Sequence, residues 1–524
     1  MADHKEISKQ GIARATIVLV CATLLSRVFG FFREVVIADQ FGASATTDAF
    51  FVALTIPVLF ADFIKYSVKN SFVPVFSRYR MKYGDPASWR FAWRITRLLT
   101  IGLVAVSLGL FFGSSEVISA IAPGLSDSAR TLSVQLMRAF SFLVILLGLA
   151  AMLESIYNGF EHFIIPAFAP LAMNVSVITA VVLLSKQIGA KGIAVGFLAG
   201  GILQVIILSR IFGLGRFTLK GRLEASQKEL KKVFNLGFFI ALVQGIWGLY
   251  YVLDRFLASA LADGSISALA FADRLIQLPL GVFVLAISIA TLPGLSQAAA
   301  RKDQERVERI CSVSLRLLLF VIIPITVFLC ITRYPLIRMI YQRGSFDALA
   351  TSLTAGPLLA FALGLGAFAA QIFILRVYFA LQDVRTPVVT SGVSFLLKIV
   401  LSLLLYRSIG ATGIALATSL AALCNAFLLG ALLKKRGYIS TVFGPWSGLD
   451  KLIIGWILLS ISTLAAFRLL GRLALGDAFL GDAVQVVGAV FTGGTVYLAA
   501  TVLLRTEEID RLKGALGIRS PARP

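Results

Sequence analysis

Thr16-Ile-Val-Leu-Val-Cys-Ala-Thr-Leu-Leu-Ser-Arg27-Val-Phe-Gly-Phe-Phe-Arg33-Glu34 is the stretch on which the fold turns. It is apolar over nearly the length needed to cross a bilayer, about 20 residues, yet it carries two arginines. Placing an arginine in hydrocarbon costs roughly 2.5–3.5 kcal/mol even on the lenient insertion scale. A spanning helix that keeps two of them turns them toward a protein interior or a water-filled path. Guanidinium is a planar fork matched to phosphate. The first expectation is therefore a membrane transporter for a phosphate-bearing substrate.

The rest of the chain agrees with a membrane setting. Its 524 residues are 58% hydrophobic and 15% charged, where a soluble protein carries about 25% charged residues. Mean hydropathy is +0.89. The formal charge of +22 does not indicate nucleic acid, because the lysines and arginines lie mostly in loops between apolar spans. That placement is the positive-inside pattern and an attraction to anionic membrane lipids. Cys21, Cys311, Cys330 and Cys424 are scattered without a CxxC pair, and His4 and His162 are the only histidines. No metal site, cofactor or disulfide framework is expected. The apolar run after the polar segment Met1–Arg14 is too long for a signal peptide and reads as the first spanning helix.

Apolar stretches of spanning length number about fourteen, from about 15–38 to about 482–504. The expected fold is an all-α polytopic membrane protein. Cations fall in alternate loops: Lys5, Lys9 and Arg14; Arg78 to Arg94; Arg210 to Lys232; Arg301 to Arg309; Lys434 to Arg436; and Arg505 to Arg523. The ninth loop, with Arg333, Arg338 and Arg343, is the exception. This bias predicts that both termini are cytoplasmic.

The chain also repeats itself. Pro166 to Leu184 leads into Ile188-Gly189-Ala190-Lys191-Gly192-Ile193-Ala194, and 221 positions later Pro387 to Leu405 leads into Ile409-Gly410-Ala411-Thr412-Gly413-Ile414-Ala415. The offset spans six helices, so the copies are parallel. It predicts an N-lobe over 1–232, a C-lobe over 233–440, and two further helices with a tail over 441–524. Transporters with repeated lobes bind substrate where the repeats meet.

Candidate binding residues follow from intramembrane charge. Arg27 and Arg33 are six apart, so they line a path rather than one point. Arg33, with Glu34 and Asp39, also fits a snorkelling helix end. Asp48 opens the second span as a helix cap that can also orient a cavity arginine. Lys65 and Lys69 share a helix face with Asp62, and an Asp62–Lys65 pair would neutralise itself. Asp254-Arg255 and Asp273-Arg274 are adjacent opposite charges, in which one member can remain available for a ligand. Gln277, Pro279 and Gly281 interrupt the helix that carries Arg274, as in helices that line cavities. Arg376 and Lys398 are further cations, while Asn174 and Asn425 suit bonds between helices. No P-loop, His-Glu-x-x-His or Ser-His-Asp set is present. A membrane-embedded enzyme acting on a lipid carrier is the rival class. It would need acidic residues or a sizeable extramembrane loop, whereas the loops here are short and basic.

These residues resemble a known family. Ser26-Arg27-Val-Phe-Gly-Phe-Phe-Arg33-Glu34, Phe41-Gly42-Ala43, Thr47-Asp48-Ala49-Phe50, Pro57 and Phe72-Val73-Pro74 are similar to the opening of the MurJ/MviN lipid II flippases. Ile165-Pro166-Ala167-Phe168-Ala169-Pro170, Ala272-Asp273-Arg274-Leu275, Tyr341-Gln342-Arg343-Gly344 and Gln382-Asp383-Val384-Arg385-Thr386-Pro387 continue the likeness in order. The resemblance implies a fourteen-helix member of the MOP exporter superfamily, with two six-helix lobes in a V and two C-terminal helices forming a groove for a lipid tail. It implies a transporter and not an enzyme. Its substrate would be the undecaprenyl-pyrophosphate-linked peptidoglycan precursor, lipid II, moved across the bacterial inner membrane by alternating access for cell wall synthesis. Cell-wall synthesis proteins would be its partners. The family's cavity arginines map to Arg27, Arg33 and Arg274, and its early acidic residue maps to Asp48. One departure stands out. Where the family commonly has an arginine pair and Ala-Glu-Gly, this chain has Val58 to Ser71 with Asp62, Lys65 and Lys69 and no arginine. That leaves open a paralogue that flips another polyprenyl-linked glycan.

Overall fold

The computed structural model describes residues 9–213, 227–383, 385–439, 449–472 and 478–509. Of the residues named above, Met1, His4, Lys5, Val384 and Arg523 lie outside them, as do positions 214–226 of the stretch Arg210 to Lys232 and positions 510–522 of the stretch Arg505 to Arg523. Every regular element among the described residues is helical. Among the described residues, ten helices are long and apolar enough to cross a membrane. The all-α, multi-pass expectation is borne out.

Two helices are too long for one crossing. α2 (Ala45–Phe112) has 68 residues and α12 (Arg385–Lys435) has 51, about 100 and 77 Å of helix against a hydrocarbon core of about 30 Å. Each is broken at a glycine: Gly84 at φ 76° in α2, and Gly410 at φ 59°, ψ −140° in α12. The repeat partner of Gly410 is Gly189, which separates α5 (Ile164–Ile188) from α6 (Lys191–Ser209) at φ 60°, ψ −143°. A residue with a Cβ is strained in that conformation. Beyond each break a second glycine meets a matching leucine, Gly192 against Leu184 and Gly413 against Leu405. The duplication is thus written in the backbone as well as in the residues.

The chain packs as two compact units, Met1–Ser267 and Ala268–Pro524. The repeat divides the chain at 232, and the packing divides it later. The reason is α7 (Gln227–Ala258), which lies along α2 through Gly237 near Ser67 and Ser71, and Gly248 near Leu59. Small residues let helix backbones approach where lipid supplies no hydrophobic drive. The same device seats α6 on α5, where Gly196 and Gly200 come against the backbone of Val177 and Met173. Around the α2 break, Phe72, Phe76, Tyr79, Trp89 and Phe91 form an aromatic core with Tyr157 of α4 (Asp127–Gly159).

In the second unit, α13 (Leu449–Leu470) and α14 (Ala478–Leu503) pack on α10 (Gln304–Tyr341). Tyr497 donates to the Phe320 carbonyl at 2.9 Å in mid-helix. Ion pairs hold both ends. Arg338 makes a bidentate pair with Asp482 at 2.8 and 2.5 Å, and Arg316 donates to Glu508 at 2.6 Å. Arg338 belongs to the loop that breaks the charge bias, and here its charge is answered within the protein. Arg333 donates to the Cys330 carbonyl within α10, and Arg343 to the carbonyls of Met339 and Ile340 at its end.

Asp383 precedes α12 and caps it. It accepts from the Thr386 N–H at 3.1 Å and the Thr386 hydroxyl at 2.7 Å, and Arg436 from the far end of α12 pairs with it. Burial opposes its charge, but the Thr386 and Arg436 bonds outweigh burial and hold the carboxyl below the usual range. A lowered folded pKa stabilises above the unfolded value of about 3.9 and stops doing so as pH falls through the folded one. Asp383→Asn should therefore lower the melting temperature at pH 7, and its gap from the unsubstituted protein should close as pH falls past the ordinary carboxylate range and through the lowered folded value. Thermal unfolding in detergent across pH checks this; a gap that widens on acidification contradicts it.

Burial also separates the two carboxylates facing Arg316. Glu508 is 2% exposed, and Glu507, at 3.7 Å, is 43% exposed. Removing the partner of a buried charge costs about 3–5 kcal/mol, and an exposed pair is worth about 1 kcal/mol or less. Glu508→Gln should destabilise the protein far more than Glu507→Gln in the same unfolding assay. Equal losses would refute the burial argument.

Candidate functional site

α1 (Lys9–Phe41) presents its two inner cations differently. Arg27 is exposed and makes no hydrogen bond or ion pair among the described residues. Arg33 has a side chain only 13% exposed, bound to Glu34 at 2.7 Å. It also donates to Asn174 Oδ1 on α5 at 3.1 Å and lies over the Phe197 ring at 5.1 Å. Six residues turn a helix by about 600°, so the two guanidinium groups leave α1 on different sides and about 9 Å apart along its axis.

Asp48 does not cap its own helix. Ser44 does, accepting from the Thr47 N–H at 3.4 Å. Asp48 sits one turn further in, buried, and reaches the segment that opens α8 (Ser265–Pro279). Its carboxylate accepts from the Gly264 N–H at 2.7 Å, the Ser267 N–H at 2.6 Å and the Ser267 hydroxyl at 2.7 Å. A carboxylate with three donors at a helix start is well matched to the N–H groups left over there. Gly264, at φ 89°, leaves no room for a Cβ, which would meet the Ala43 carbonyl at 2.5 Å. Arg255, also buried, holds the same segment by donating to the Ile266 carbonyl at 3.2 Å and covers the Phe51 ring at 5.6 Å. The structure thus brings Asp48 and Arg255 together on residues 264–267.

Lys65 is half exposed and lies 3.8 Å from Glu154 of α4. Gln204 of α6 donates to the same carboxylate at 3.2 Å. Its ion pair is therefore with Glu154, where the sequence suggested Asp62. Glu154 was not singled out from sequence, although the signal was present: a lone carboxylate closing the apolar run Leu147-Gly-Leu-Ala-Ala-Met-Leu-Glu154. In the second unit, Arg274 is exposed on α8 and its neighbour Asp273 accepts from Gln277 at 3.4 Å. The expected interruption follows at once, as a π-helical turn over Leu280–Val284. Such turns widen a helix and often mark functional sites. Lys398 is fully buried in α12, so it belongs to the packing of that helix.

A family model described as lipid II flippase MurJ matches residues 37–480. The chain belongs to the MurJ family. A probable lipid II flippase MurJ of Rhizobium meliloti (strain 1021) is 29% identical over 428 residues, covering 80% of this chain and 79% of that one. Another, of Rickettsia prowazekii (strain Madrid E), is 27% identical over 503 residues, covering 95% and 98%. A solved lipid II flippase MurJ in an inward closed conformation matches with a TM-score of 0.76 at 24% identity, over 93% of this chain and 99% of that one. An inward-facing MATE multidrug resistance transporter of the MOP superfamily matches at 0.68 and 13% identity, over 80% and 98%. The family resemblance read from the motifs is borne out. MurJ proteins are transporters, so the embedded-enzyme reading falls away.

The three donors on Asp48 make a direct prediction. Asp48→Asn puts an amide where two backbone N–H groups need an acceptor. Exchange of the amides at Gly264 and Ser267 should speed up at least tenfold, the equivalent of about 1.4 kcal/mol. Hydrogen–deuterium exchange on the peptide spanning 262–268 reads it. Unchanged protection would show that Asp48 does not hold that segment.

Proposed function

We propose that this multi-pass membrane protein moves lipid II from the cytoplasmic to the outer leaflet of the bacterial inner membrane by alternating access. Arg27 carries the reading: an exposed cation, without a protein partner among the described residues, on an apolar helix of a MurJ-family chain. A charge kept at that cost is kept for a ligand, and a guanidinium pairs best with phosphate oxygens. Arg27 and Arg33, with Arg274 of the second unit, are the proposed partners of the diphosphate. Lys65 supplies further positive charge. Asp48 and Arg255 act one step back, by holding the start of the helix that carries Arg274.

The polyprenyl tail stays in lipid while the headgroup crosses. An inside-negative potential favours outward movement of an anionic headgroup by about 2.3 kcal/mol per charge per 100 mV. Fourteen crossings with both termini cytoplasmic complete the proposed topology, and proteins of cell wall synthesis are the expected partners. A second reading has its own support. No arginine stands between Pro57 and Phe72, and Lys65 there is shared with Glu154. Lysine lacks the bidentate fork, so a different polyprenyl-linked glycan is the alternative cargo.

Complementation separates the two. In bacteria depleted of their own lipid II flippase, this chain should restore growth and externally accessible lipid II, and Arg27→Ala and Arg274→Ala should abolish both while still inserting. Failure of the well-inserted parent chain would favour the other glycan. Rescue by Arg27→Ala would remove the core of the proposal.

A further inference from the structure

Asn174 joins the two cations of α1. Its Oδ1 accepts from Arg33 at 3.1 Å, and its Nδ2 donates to the backbone carbonyl of Ser26 at 3.1 Å. Ser26 is the residue before Arg27, so one amide on α5 grips the side chain of one cation and the backbone beside the other. Only one orientation of the amide works. Turned over, its NH2 would face a guanidinium and its oxygen a carbonyl. The amide lies over Gly30, whose missing Cβ would sit 3.7 Å from Nδ2, so a side chain larger than alanine's at 30 would compete for that space. Asn174 itself is 6% exposed.

The repeat sharpens the point. Position 174 falls in the segment duplicated 221 residues later, and its counterpart is Phe395. At the same offset, positions 27 and 33 fall on Gly248 and Asp254. Only the copy with the α1 cations has the asparagine. A buried amide that merely joined two helices would be as useful in either copy. Arg33 still has Nε buried without a hydrogen-bond partner, so the protein holds this group firmly without using all of its donors.

We propose that Asn174 is a positioning residue for headgroup binding, setting the direction of Arg33 and the seat of Arg27 together. Its role rests on the reading that these cations receive a diphosphate. Two measurements on the full-length protein test it. The first is substrate-free: the rate at which an arginine-specific dicarbonyl modifies Arg33 in detergent, read by mass spectrometry. Asn174→Ala should raise that rate several-fold. An unchanged rate overturns the proposal whatever the cargo is. The second is the initial rate of lipid II movement in proteoliposomes against lipid II content. Asn174→Ala should raise the half-saturating content about tenfold with a smaller change in maximal rate, and should add less in an Arg33→Ala background than in the parent, leaving only the part that acts through Arg27. A fall in maximal rate alone, or additive losses, would mark Asn174 as ordinary packing. If the parent protein does not move lipid II, the function fails and the labelling result still decides the positioning.

Should Asn174→Ala not accumulate, Asn174→Asp serves. It keeps the acceptor for Arg33 but sets a second oxygen against the Ser26 carbonyl. Half-saturation should rise while Arg33 labelling stays as in the parent. Parental half-saturation in that variant overturns the link to Arg27.

Discussion

A charge inside a membrane protein must be answered, and the way each is answered sorts the helices of this chain. Arg316 and Arg338 are answered by Glu508 and Asp482, and those pairs fasten α14 to α10 at both ends. Arg255 is answered by a backbone carbonyl, and Lys65 loosely by Glu154. Arg33 is answered in part, by Glu34 and Asn174. Arg27 has no such partner among the described residues. This gradient runs from cations paired deep within the protein to one that is exposed and carries no such partner among the described residues. It gives a physical ranking of the candidate residues that charge alone does not.

The same logic explains Asp48. A carboxylate early in a helix is commonly taken as a cap for its own chain start. Here Ser44 does that work, which leaves Asp48 to serve the start of α8 more than 200 residues away. Its three bonds concern two backbone N–H groups and one hydroxyl, so the segment it holds is fixed in conformation. The helix that follows carries Arg274 and breaks into a π turn. Asp48 thereby holds the start of the helix that carries Arg274.

Much of this was legible in the sequence because hydropathy, charge bias and glycine placement are local. The spans, the family and the duplicated Gly-Ala-x-Gly-Ile-Ala motif needed no structure, and Gly189 and Gly410 adopt nearly the same conformation. The interruption at Gln277–Gly281 was also visible, since proline and glycine act on their own helix. Partnerships were less visible. Whether Lys65 meets Asp62 or Glu154, and what Asn174 bonds, depends on how neighbouring helices are rotated, and their residues are far apart in the chain. Exposure was hidden for the same reason: the sequence offered the snorkelling helix end to Arg33, yet Arg33 is the one enclosed beside α5 and α6 while Arg27 stays exposed. Glu154 was legible in principle, since a lone acid in an apolar run carries a cost like that of a lone cation.

The central claim is that intramembrane guanidinium groups recognise a diphosphate. It is tested most directly by changing the number of phosphates. In proteoliposomes containing the purified chain, transbilayer movement of a polyprenyl-diphosphate glycan should be compared with that of the same glycan on a polyprenyl monophosphate. The account predicts a rate for the diphosphate at least tenfold higher, the equivalent of about 1.4 kcal/mol, with the difference lost in Arg27→Ala. Equal rates for the two lipids would contradict it.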